Sequence, residues 1–219
     1  LTVAEFREQL KDYITPKDEK WMDLFFLPYD NAQVLRLLNK QEPDTALMTV
    51  YPVKLLEEEI IEPDKAIPPF LREFITDFKE EHLRYDVSPE NVLSWMYYDY
   101  MLKSDNLLVR RYAEFAMNLK NLVTALNARK YGREISREVI GTNEFAVALR
   151  TSNAKDFGLG MEYPYVEKVL TLMDNDNLVE RERGLDLIIW NFLEEAVTFE
   201  YFSLERVISY VLRLMIVER

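Results

Sequence analysis

The sequence predicts an all-α fold. Three observations carry that expectation. Only five glycines occur in 219 residues, at positions 132, 141, 158, 160 and 184, so long stretches lack the residue that strained turns favour. Helix-start signals recur just ahead of apolar runs. Apolar residues return every three or four positions, and no long strand alternation is present.

Thr2 with Glu5 has the capping-box pattern ahead of Phe6, Leu10 and Ile14. Thr15-Pro16 is a cap with proline at the first helical position, leading into Trp21, Leu24 and Phe25. Helical patterns follow over 29–38, 52–61 and 69–83, each bounded by proline or a turn. Ser88-Pro89-Glu90 opens the next helix, which holds Trp95, Tyr97, Tyr98 and Tyr100. The longest element is expected over about 105–131. Its stripe Leu108, Tyr112, Phe115, Leu119, Leu122 and Leu126 has spacings of 4, 3, 4, 3 and 4, as one helix face packed along another requires. Gly132 stands where a C-terminal cap belongs. Short helices are expected around 136–140 and 143–150, then a loop over 151–163 and a helix over 164–173. Asp174-Asn175-Asp176-Asn177 is a turn able to cap a helix over 178–199, with Leu185, Ile188, Ile189, Phe192 and Leu193 inward. Ser203 can cap a final helix. The best strand candidate is the short Thr49-Val50-Tyr51. The total is about ten helices, in either two helical lobes, 1–104 and 105–219, or one continuous elongated domain.

Hydrophobic residues make up 48% of the chain, enough to build a core. The absence of cysteine excludes disulfides and thiolate chemistry and fits a reducing, cytoplasmic location. A triad or His-rich metal site would have to be built on the single histidine, His82. Its neighbours Glu80, Glu81 and Arg84 read as surface. Net charge is −12, distributed as 12 basic and 22 acidic residues in 1–105, 9 and 4 in 106–155, and 6 and 13 in 156–219. The overall sign disfavours nucleic acid, while the basic middle could meet an acidic protein partner. The most apolar segment, 202–217, is broken by Glu205, Arg206 and Arg213, so no stretch reaches the roughly 18 apolar residues of a spanning helix. No signal peptide is visible. The chain starts at Leu1 and stops within a helical pattern, so both ends are expected to continue.

Catalytic groups are not legible, and the chain reads as non-enzymatic, with no catalytic residues, no metal site and no cofactor. Gly158-Leu159-Gly160 lacks the third glycine and the flanking strand of a nucleotide loop. The 174–177 turn lacks the glycine and glutamate of a calcium loop, with Val179 and Leu185 in those places. Glu57-Glu58-Glu59 reads as a wet face beside buried Ile60 and Ile61. Glu194-Glu195 lies beside Phe192 and Leu193, where a carboxylate needs a basic partner. Adjacent helical residues point about 100° apart, so neither run makes an acid/base pair by itself. The segment 118–132 carries Asn118, Asn121 and Asn127, ending in Arg129, Lys130 and Gly132. Asparagine is a mediocre helix former, so its recurrence points to side-chain amides bonded across a groove.

Here a resemblance enters. The segments 118–121 and 126–132, 148–159, 201–205 and Phe25-Phe26-Leu27-Pro28-Tyr29-Asp30-Asn31 resemble a family of uncharacterised bacterial proteins encoded in V/A-type ATPase operons, in the place of the C subunit (d in eukaryotes). The resemblance implies a helical, non-catalytic piece that couples the central rotor shaft to the membrane ring. It implies V/A-type ATPase rotor and ring subunits as partners, peripheral attachment at the inner face of the membrane, and partner contacts from Asn118, Asn121, Arg129, Lys130 and Arg150. The alternatives are a helical small-ligand binder or enzyme using Glu194, Glu195 and Arg150, or an unrelated helical adaptor.

Overall fold

The computed structural model describes residues 1–64, 66–83 and 86–218. These form twelve helices and no strand. In chain order they are α1 (Val3–Leu10), α2 (Pro16–Asp23), α3 (Leu27–Leu38), α4 (Val53–Ile61), α5 (Pro69–Lys79), α6 (Pro89–Leu102), α7 (Leu107–Lys130), α8 (Ile135–Glu138), α9 (Glu144–Thr151), α10 (Tyr165–Met173), α11 (Leu178–Ala196) and α12 (Leu204–Glu218). The all-α expectation holds.

Local chemistry accounts for the helix ends. The Thr2 and Thr15 boxes both form, with Asp18 as the acid of the second. Ser88 Oγ accepts from Asn91 N at 3.2 Å, Asn143 Oδ1 from Ala146 N at 3.0 Å, and Asn177 Oδ1 from Val179 N at 3.1 Å. After α7, Gly132 takes φ +66° and Arg133 N donates to Ala128 O at 2.8 Å. That is the left-handed C-terminal cap in which glycine avoids a Cβ clash.

Compact packing divides the chain into 1–109 and 110–219. The division falls inside α7. In the first unit, α3 packs with α4, α5 and α6, and α5 with α6. Phe26, Leu56, Leu71, Phe74, Ile75, Leu93 and Met101 are fully buried there. Tyr97 is buried with its hydroxyl donating to Leu24 O at 3.0 Å, and Phe70 lies 5.2 Å from Tyr100. The aromatic run of α6 thus serves this core in part. In the second unit, α10 packs with α11 and α11 with α12. Its core joins Phe115, Leu122, Phe145, Leu149, Phe157, Val166, Val169 and Ile188. Each fully buried Phe contributes about 1.5–3 kcal/mol, more than helix propensity supplies at any one position. Gly184 lets α10 and α11 approach closely: a Cβ there would fall 2.2 Å from Leu172 Cδ2.

Two expectations fail. Val50 and Tyr51 are not in a strand; their N–H groups donate to the two carboxylate oxygens of Asp30, each at 2.9 Å. In α4 the wet and buried faces differ from the expected pattern. Ile61 is exposed, whereas Glu59 is 3% exposed and accepts from Asp64 N at 2.8 Å and Ala66 N at 3.2 Å. Burying Glu59 satisfies loop donors that would otherwise be orphaned.

Candidate functional site

The asparagine-rich end of α7 organises the second unit from inside. Asn121 is fully buried, donates Nδ2 to Ile140 O at 2.7 Å and accepts from Ile140 N at 2.9 Å. Asn118 is 2% exposed and accepts from Asn143 Nδ2 at 2.9 Å. Both amides therefore bond across to the α8–α9 connection. Arg150 donates from α9 to Val139 O at 2.8 Å in the same stretch.

Arg129 braces the next loop. Its Nη1 donates to Ala154 O at 2.9 Å and Lys155 O at 3.3 Å, and its Nη2 to Ser152 O at 3.1 Å. Its guanidinium lies 3.8 Å from the centroid of Phe157, which is 1% exposed. Further along, the Asp156 carboxylate accepts from Gly158 N at 2.9 Å and Gly160 N at 3.2 Å. Those backbone bonds hold its pKa below the usual carboxylate range. The glycine amides that a phosphate would use are already bonded.

Of the five residues expected to meet a partner, Asn118 and Asn121 are buried, Arg129 and Arg150 are bonded to backbone carbonyls and Lys130 is exposed, so the five do not form one surface. Lys130 borders a concavity of about 350 Å³, together with Leu126, Asn127, Arg129, Lys155, Leu170, Met173 and Asp174. The lining of this hollow combines the apolar Leu126, Leu170 and Met173 with three cations against one carboxylate. Lys155 lies 3.8 Å from Asp174.

A larger cleft of about 540 Å³ opens between α7, α10 and α11. Phe115 and Phe192 stack at 4.0 Å between centroids, with Tyr165 edge-on to Phe115 at 5.4 Å. The Tyr165 hydroxyl is buried without a hydrogen-bond partner. Burial raises its pKa, so it stays protonated. Arg111, Glu114, Lys168 and Glu195 line the cleft. Of the late carboxylates, Glu195 lines this cleft, while Glu194 accepts from Arg213 Nη1 at 3.0 Å, the basic partner expected for that pair.

His82 is exposed and lies 3.2 Å from Glu80. Among the described residues no three His, Asp or Glu side chains gather as metal ligands, and no helix is long and apolar enough to cross a membrane.

A family model matches residues 1–219, described as "Protein of unknown function (DUF2764)". The chain belongs to the DUF2764 family. No curated protein and no solved structure matches it. The DUF2764 chain thus offers two concave surfaces in its second unit. The asparagines of α7 pointed to amides bonded across a groove, as Asn118 and Asn121 are, and Asn127, Arg129 and Lys130 of the same segment line the hollow at its end. The cleft has no local signature, because its residues come from three helices. Its one sequence signal is the stripe position of Phe115 with the inward register of Ile188 and Phe192.

Proposed function

We propose that this DUF2764 protein is a non-catalytic coupling and assembly subunit of a V/A-type ATPase, similar to the C (d) subunit. In this reading it links the central rotor shaft to the membrane ring, peripheral to the inner face of the membrane. The motif resemblance in 118–132, 148–159 and 201–205 motivates the assignment. The single observation that supports it is the hollow at the end of α7, where Leu126, Leu170 and Met173 lie beside Arg129, Lys130 and Lys155. A basic, apolar concavity suits an acidic amphipathic segment of a partner.

The test is an affinity pulldown of the full-length protein from its native membranes, compared with Lys130→Glu/Lys155→Glu. Recovery of rotor or ring subunits by the wild type, with loss in the variant, is the expected result. A clean pulldown lacking every ATPase subunit removes the reading.

The aromatic floor of the larger cleft favours a second reading, a small-ligand binder. Glu195 is the member of the Glu194, Glu195 and Arg150 set that lines that cleft. Any small molecule that raises the melting temperature through this cleft should lose its effect in Ile188→Trp, while the pulldown is unchanged.

A further inference from the structure

The connection from α11 to α12 presents three aromatic side chains to solvent. Phe199 is 88%, Tyr201 71% and Phe202 107% exposed. Phe202 also has φ +57°, the left-handed region that a bulky residue rarely enters. Exposure and backbone strain are both unfavourable for the isolated chain, and strain of this kind collects at functional contacts.

The segment is nevertheless held. Arg206 Nη1 donates to Val197 O at 3.2 Å and to Glu200 O at 3.3 Å, and its guanidinium lies 5.9 Å from the Tyr201 ring centroid. Thr198 Oγ1 donates to Glu194 O at 3.0 Å, and Ser203 Oγ accepts from Arg206 N at 3.4 Å. A braced tip loses less freedom when it is captured than a loose loop does.

We propose that this tip is a docking knob for a protein partner: Phe199, Tyr201 and Phe202 enter an apolar pocket rimmed by lysine or arginine. Charge decides the partner class. Glu200 stands exposed between Phe199 and Tyr201, while the one cation of the tip, Arg206, is turned back onto backbone carbonyls. Residues 156–219 carry 13 acidic against 6 basic side chains. Seating the aromatics in an anionic bilayer would bring Glu200 to the phosphates, which repel it. A basic-rimmed pocket receives both the rings and the carboxylate. The proposal goes beyond the ATPase reading and stands without it, because the partner is defined by its pocket.

The test places the photo-cross-linker p-benzoylphenylalanine at position 202 of the full chain in its native cells, followed by sequencing of the cross-linked peptides. The expected product is a single partner protein, joined at an apolar peptide flanked by Lys or Arg. The same probe at Leu187, which is 59% exposed on α11, should not give this product. Glu200→Lys should lower the yield about fivefold, the scale of losing one rim charge contact. Phe202→Gly, with the cross-linker moved to position 199, separates binding from folding: relief of the positive φ should raise the melting temperature while capture of the partner falls. Cross-links to lipid, with flotation on phosphatidylglycerol vesicles, would overturn the proposal. So would cross-links to a second copy of this chain, no cross-link, or a yield indifferent to Glu200→Lys. A partner from outside any ATPase would sustain the knob and leave the coupling-subunit reading to its own pulldown.

Discussion

Both units brace loops with carboxylates and with arginines, Arg36 on Glu42 O in the first and Asp156 under Gly158 N and Gly160 N in the second, but among the described residues the buried carboxylates belong to the first unit. In the first, buried carboxylates collect backbone N–H groups: Asp30 from Val50 and Tyr51, Glu59 from Asp64 and Ala66. In the second, arginines collect backbone carbonyls: Arg129 from Ser152, Ala154 and Lys155, Arg150 from Val139, and Arg206 from Val197 and Glu200. Asn121 takes one group of each kind from Ile140. Both solutions satisfy loop backbone that would otherwise lack partners. They differ in response to pH. Guanidinium and amide stay in one state across the physiological range, whereas burial raises the Asp30 carboxyl to about 6.

The largest expected effect breaks the amide brace. Asn121→Ala leaves Ile140 N–H and C=O buried and unpaired and opens a void, so it should destabilise the chain by about 3–4 kcal/mol. Urea unfolding of the purified variant measures this, and a loss below about 1 kcal/mol would mean that water replaces the amide.

The carboxylate brace is tested by pH. Asp30 is harder to ionise folded than unfolded, since burial outweighs its backbone bonds. Its contribution is therefore fully present below about pH 4 and is lost as pH rises through about 6. The span is on the order of 2–3 kcal/mol. Asp30→Asn should flatten that slope in unfolding free energy between pH 4 and 7. An unchanged slope would place the titration elsewhere.

Gly184→Ala probes the α10–α11 approach. Leu172 has to move to admit the new methyl group, at about 1–2 kcal/mol, read as a lower melting temperature. Arg129→Lys should have the smallest effect, about 1 kcal/mol, because an ammonium replaces a planar fork by a point charge. The loss should be independent of pH between 5 and 8, in contrast to the Asp30 brace. Increased proteolysis within 152–159 would locate it.

The periodic stripe of α7, the Thr and Ser caps and Gly132 were legible because each acts within a few residues of itself. Asparagine enrichment after Phe115 signalled amides bonded across a groove, and Asn118 and Asn121 are bonded in that way. The partners of those bonds were not legible. Ile140 lies nineteen residues from Asn121, and nothing in its own sequence marks it as an acceptor. Glu59 was misread for the same reason. A three-glutamate run looks solvated until a loop returns to place N–H groups over one member. The 540 Å³ cleft escaped local reading because it is assembled from α7, α10 and α11.

Composition and short-range order by themselves determined the helices, their caps and the class of fold, since hydrogen bonds within a helix and cap bonds span only three or four residues. Tertiary structure decided which polar side chains are braces and which face solvent. It buried Asn121, Asp30 and Glu59 and left Phe199, Tyr201 and Phe202 outside. The physical reason is that the burial of a polar group depends on backbone donors and acceptors brought from distant positions, and the chain places these only by folding.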